Sequence, residues 1–185
     1  EELTNDADPS VRESNLGTIY ERLQSAYAVI NDLPVHIVVP VDVYLDDTVD
    51  FASQLAVSMY NKRDSTAIGI IGVKPIGKDE SVEQYITRLA LNGKIDNGFY
   101  IVDGSELVDI GYKLSVVAST IDFIDSNHYI NTVNGASAYA GLVASLDSHV
   151  SPTNKRIAPV YSICEDYSDG VVTETISIDE TPTLL

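Results

Sequence analysis

Asp42, Asp46, Asp47 and Asp50 crowd the stretch that directly follows an apolar, β-branched run. Carboxylates at the carboxyl end of a strand sit at the edge where open α/β sheets bind ligands, and hard oxygen donors would suit a divalent cation. Against a metal site, Asp46 and Asp47 are adjacent and would point apart, and no histidine interleaves with the acids. An aspartate ahead of a helix also has ordinary capping and dipole chemistry, which is the expected role here. "GIIGVKPIGK", 69–78, carries glycines and lysines but neither the G-x-x-x-x-G-K-[ST] spacing nor a G-x-G-x-x-G turn opening a helix, so it is expected to be strand and turn. His36, His128 and His149 are scattered, and no carboxylate is spaced to orient one of them as a general base. Cys164 lies in "VYSICED", a strand-like run; a thiol activated for attack is expected at a helix N-terminus or strand-to-helix elbow, so burial as a small apolar residue is its expected state.

The elements that must position these residues alternate. Leu16, Ile19, Tyr20, Leu23, Tyr27 and Ile30 recur at spacings of three and four, which predicts a helix over 16–31. "VHIVVPVDVYL", 35–45, predicts a strand, with Thr48 capping a helix that runs through Met59 and Tyr60. A second strand is expected in 65–76 and a helix in 79–94, with Asp79 or Ser81 at its cap and Gly93 near its end. "GFYIVDG", 98–104, predicts a third strand and 112–124 a fourth, followed by a helix over 134–147. Two more strands are expected around the Ser168-Asp169-Gly170 turn. Strand and helix in succession imply an α/β fold: a mixed, largely parallel sheet flanked by helices, with a C-terminal β-hairpin or small β lobe. The expected organisation is a flexible acidic arm over 1–15, an α/β core over 16–158, and a hairpin or exit segment over 159–185.

Lys and Arg number 11 against 28 Asp and Glu, a formal net charge of -17. Phosphate-backbone binding needs clustered cations, so nucleic acid is not an expected partner. No apolar run approaches the roughly 20 residues of a membrane-spanning helix, and no membrane insertion is expected. A single cysteine forms no internal disulfide.

The run from 135 to 158, "GASAYAGLVASLDSHVSPTNKRIA", has a pattern of its own. A small-residue helix, with Ala140, Gly141, Leu142, Ala144 and Asp147, leads into the polar turn Ser151, Pro152, Thr153, Asn154 and Lys155. Together with "HIVVPVDVYLDD" it resembles the tail sheath proteins of contractile-tailed bacteriophages, in which a helix of the type A-G-[LIV]-x-A-x-x-D precedes a loop and [SA]-P-[AT]-N-K. The motif covers about 40 residues, and the α/β alternation over 16–158 agrees with a sheath core domain. In that family an aromatic-rich loop usually precedes the helix and an extended C-terminal domain follows the turn, so the chain is expected to be the core-domain fragment of a longer sheath subunit, with 159–185 leading toward the missing domain.

The resemblance implies a structural subunit with no catalytic residue and no cofactor. Copies would polymerise helically around a tail tube protein and contract, when the baseplate triggers, to drive the tube through the host envelope. Its location would be the virion tail, after assembly in the host cytoplasm. Ser151, Pro152, Thr153, Asn154, Lys155, Arg156, Lys62 and Arg63 are the candidate intersubunit contacts, because the few cations of an acidic chain would pair with neighbouring acids. The alternative is a small α/β hydrolase or metal-dependent enzyme that uses Asp42, Asp46 and Asp47.

Overall fold

The computed structural model describes residues 9–77, 79–118, 120–124, 130–147 and 150. In chain order the elements are α1 (Pro9–Asn31), β1 (Ile37–Val38), α2 (Phe51–Asn61), β2 (Ile68–Gly72), α3 (Val82–Ala90), α4 (Gly93–Asn97), β3 (Tyr100–Asp103), β4 (Glu106–Asp109), a 3-10 turn (Gly111–Lys113), β5 (Leu114–Val117), β6 (Thr120–Ile124), β7 (Ile130–Asn134) and α5 (Gly135–Ser145). The chain divides into two compact units. One holds the residues up to Ile71 together with Asn97–Ser115, and the other holds Gly72–Asp96 and the residues from Val116 on.

The fold is mixed α/β, as its strand and helix alternation implies. A three-stranded sheet has the order β1-β2-β5, with β1 and β2 parallel and Ile37 opposite Ile68. The strand expected over 35–45 is reduced to Ile37–Val38. Pro40 has no N–H for a ladder, and Asp42 takes a left-handed backbone at φ 58, which short polar side chains tolerate. Beyond that kink Val43 and Leu45 still point inward and are buried.

The first unit is built on α1 against α2. Phe51, Leu55 and Met59 recur at i, i+4 and i+8, so all three fall on one helical face, and all are fully buried with Leu16, Ile70, Ile71 and Ile110. Each such side chain contributes about 1.5–3 kcal/mol of burial. Tyr20 meets Phe51 with ring centroids 6.0 Å apart and planes tilted by 48°. Gly69 makes the close packing over β2 possible. A Cβ there would stand 2.9 Å from Leu114 Cδ2 and 3.0 Å from Leu55 Cγ.

Three expectations are corrected in this unit. The first helix starts at Pro9 rather than Leu16, so residues 9–15 belong to α1 and not to an arm; proline suits a first helical turn because its missing N–H would have no partner there. The cap of α2 is Asp50, whose carboxylate accepts from Ser53 N at 2.9 Å, while Thr48 instead donates to the Glu13 carboxylate. The strand expected over 98–104 does not extend the parallel sheet. As β3 it turns back through Gly104, at φ 64, and pairs antiparallel with β4, Val102 opposite Leu107.

In the second unit Ser81 caps α3 as expected. Its hydroxyl accepts from Gln84 N at 3.2 Å while Gln84 Oε1 accepts from Ser81 N at 2.8 Å, a reciprocal capping box. The turn before the helix is tied down by a bidentate pair: Arg88 Nε to Glu80 Oε1 at 2.8 Å and Arg88 Nη2 to Glu80 Oε2 at 2.9 Å. Arg88 Nη2 also reaches Pro75 O at 3.2 Å. The region expected as one strand over 112–124 divides into the 3-10 turn, β5 and β6, and β6 pairs antiparallel with β7, Ile121 opposite Val133. The hairpin expected around 168–170 lies outside the described residues.

The Arg88 hydrogen bonds hold the Glu80 carboxyl below its ordinary value of 4.5, helped by Gly77 N–H and opposed by partial burial. A folded value depressed below the unfolded one means that this contribution is present above the unfolded value and is lost as pH falls through the folded one. Carboxyl NMR titration should therefore place Glu80 below 4.5, and Arg88→Met should move it back up. An unchanged midpoint in that variant would remove Arg88 as the cause.

Candidate functional site

Among the candidate contact residues the structure separates Lys62 from Arg63, and the separation begins at the end of α2. An α-helix leaves its last carbonyls without intrahelical partners and carries partial negative charge there. Lys62, the residue that caps α2, is 7% exposed and extends its ammonium to the end of α1, donating to Leu33 O at 2.7 Å and Asn31 O at 3.2 Å. Lys113, 4% exposed, does the same for α2. Its ammonium donates to Lys62 O at 3.0 Å, to Ala67 O at 3.3 Å and to Ser65 O. All three Lys113 protons thus have carbonyl acceptors, which is what a buried ammonium needs to offset its lost hydration.

Lys62 is therefore an internal clamp rather than a surface cation. Arg63 faces outward, its guanidinium 4.4 Å from the Tyr60 ring centroid. Tyr60 in turn donates to the Asp103 carboxylate on β3, and that hydrogen bond raises the phenol above its ordinary value. Arg63, Tyr60 and Asp103 form an exposed polar patch joining the end of α2 to the β3–β4 hairpin.

The aspartates are dispersed by their backbone roles. Asp50 caps α2, and Asp47 accepts from Tyr44 N at 2.8 Å in the turn before it. Among the described residues no group of three or more His, Cys, Asp or Glu side chains is placed to hold a metal ion. His36 Nδ1 lies 2.9 Å from Thr66 Oγ1 and bridges the entries to β1 and β2. His128, His149, Cys164 and the turn Ser151, Pro152, Thr153, Asn154, Lys155 and Arg156 lie outside the described residues.

The small-residue helix over 134–147 is present as α5. Ala136 and Ala140 are buried, whereas a Cβ at Gly141 would meet nothing within 4 Å. The bulk missing at Gly141 is thus not filled by the described chain. Sequence reasoning missed Lys113. Its signal was a lone cation in "GYKLSVV", placed directly ahead of an apolar strand in a lysine-poor chain.

Replacing Lys113 by Met should lower stability by about 1.5–3 kcal/mol, the range for losing hydrogen bonds to a charged group. Arg63→Ala should stay within about 0.5 kcal/mol, as exposed positions do. Urea unfolding followed by circular dichroism measures both, and equal effects would contradict the division of labour between them. In comparisons with known proteins, no protein-family model matches this chain and no curated protein matches it.

Proposed function

We propose that this chain is a structural subunit of a bacteriophage contractile tail sheath. It polymerises with copies of itself around a tail tube protein, answers to a baseplate and contracts to drive the tube through the host envelope; it is located in the virion tail after assembly in the host cytoplasm. The observation that carries this reading is the run Ala140, Gly141, Leu142, Ala144, Asp147 followed by Ser151, Pro152, Thr153, Asn154 and Lys155. Ala140, Gly141, Leu142 and Ala144 of that run lie within α5, with Gly141 uncrowded, and Asp147 follows its end. Two further features support it. The outer face of the β3–β4 hairpin presents Val102 and Leu107, 72% and 65% exposed, as apolar contact surface. The net charge of -17 leaves each cation, Lys155 and Arg156 among them, many acids to pair with on a neighbour.

Contraction in such a machine needs no nucleotide. Two packings of one rigid subunit that differ in free energy store the work at assembly, and the transition re-pairs surface groups while the cores move as bodies. In this reading Arg63, exposed beside the Tyr60–Asp103 pair, would be free to re-pair in such an exchange, whereas Lys62, buried on the carbonyls at the end of α1, would keep its internal partners.

Negative-stain electron microscopy of the chain, alone and with a tail tube protein, tests the reading. Striated tubes are expected, and the double variant Lys155→Ala, Arg156→Ala should assemble poorly while its melting temperature stays within about 2 °C of the parent, as surface changes do. Monomers under both conditions, with a melting temperature that rises on adding divalent cations, would overturn the sheath reading in favour of the aspartates.

A further inference from the structure

The tip of the β3–β4 hairpin places two acids where like charges repel. Asp103 and Glu106 stand directly opposite each other in the register that pairs Val102 with Leu107, and both are exposed. Carboxylates facing each other across a strand pair destabilise it. Asp103 accepts a hydrogen bond from the Tyr60 hydroxyl, but a neutral phenol leaves both charges in place, and Arg63 stacks on the Tyr60 ring. Among the described residues neither acid makes an ion pair. Residues 95–112 include no Lys or Arg, and Lys113 behind them is buried on carbonyls. Beside the tip lies an apolar face. Residues two apart on a strand share a face, so Tyr100, Val102 and Leu107 lie together and are exposed, while Ile101 and Val108 turn the other way and are half-buried.

A partner that fits brings positive charge to the tip and an apolar side chain next to it. The chain carries adjacent cations twice, at Lys62–Arg63 and at Lys155–Arg156. Lys62 is buried on the carbonyls at the end of α1, so the first pair cannot present both charges together. Lys155 and Arg156 belong to the run 151–158, outside the described residues, and Ile157 follows them directly with an apolar side chain. We propose that the run 151–158 of one copy docks on the β3–β4 hairpin of a second copy, with Lys155 and Arg156 against Asp103 and Glu106, and Ile157 against Val102 and Leu107. This contact rests on the reading of the chain as one that assembles with its own copies, and it names the acids that the cations meet. Donor and acceptor are different surfaces, so the contact is heterologous and repeats from copy to copy instead of ending at a twofold pair.

Complementation between two variants of the 185-residue chain tests it. Lys155→Glu with Arg156→Glu removes the donor and keeps the hairpin. Glu106→Lys removes the acceptor and keeps the donor; its new cation faces Asp103, a favourable cross-strand pair that preserves the hairpin. In sedimentation at low salt the parent should associate beyond dimers. Each variant alone should associate about tenfold more weakly or worse, the low end for close charge pairs across an interface. An equimolar mixture should form pairs of one variant with the other and stop there. A synthetic peptide of residues 151–158 should shift the Val102 and Leu107 amides of the donor-deficient variant saturably in NMR and leave those of Glu106→Lys unmoved. A monomeric parent, variants that associate like the parent, a mixture no different from its components, or a peptide without effect would overturn the contact. Shifts at Val102 and Leu107 between the parent and the donor-deficient variant that ignore concentration would also overturn it, because the run would then dock within its own chain. Striated tubes without complementation would remove this contact and leave the sheath reading standing, whereas complementation without tubes would keep the contact and remove the sheath.

Discussion

Two buried ammonium groups hold the first unit together at the ends of its helices. Lys62 carries positive charge to the carboxyl end of α1, and Lys113 carries it to the carboxyl end of α2, where it shares the carbonyl of Lys62 itself. Helix termini converge on the core with unsatisfied carbonyls, and burying those would cost more than the packing returns unless donors come with them. A lysine is suited to the task because its flexible stem lies along apolar surface while its head delivers three donors. The apolar seam of Phe51, Leu55 and Met59 supplies the larger energy, but it is non-directional; the lysine contacts fix where the helices stop.

That arrangement shapes the surface as well as the core. Among the described residues two cations, Lys62 and Lys113, are turned inward, so they add nothing to the positive charge that the first unit shows to solvent. A surface of one sign resists self-association until a cation is brought opposite it. In the sheath reading three other cations act as specificity elements: Arg63 beside Tyr60, and the Lys155–Arg156 pair that follows α5 in sequence. Gly141 and the Val102–Leu107 pair supply closely approachable and apolar contact area of the other kind.

Much of the fold was legible in the sequence, for identifiable reasons. The helix periodicity of Leu16 to Ile30, the cap offered at Asp79 or Ser81, which the structure takes at Ser81, and the apolar strand around Ile68–Gly72 are local signals, and each matches its element. The failures occur where a non-local or single-residue effect prevailed. Pro40 and the left-handed Asp42 cut short a run whose composition favoured strand, and the Asp103-Gly104 turn folded β3 back on β4 instead of into the parallel sheet. The candidate site was legible only in part. Adjacent Lys62 and Arg63 look equivalent in sequence, but the end of α2 sends one inward and the other outward, and that depends on where α1 ends. Lys113, more than 45 residues from the carbonyls it binds, carried no pairing signal that spacing could display.

The relay from Lys113 through the Lys62 carbonyl to the end of α1 is the central physical claim, and a double-mutant cycle measures it most directly. Stabilities of the parent, Lys62→Met, Lys113→Met and the double variant, from urea unfolding at constant salt, give the coupling between the two ammonium groups. A coupling of about 0.5–3 kcal/mol, the range for residues in one hydrogen-bonded network, is the expected result. Strict additivity, or single variants as stable as the parent, would contradict it and leave the helix ends to be held by packing alone.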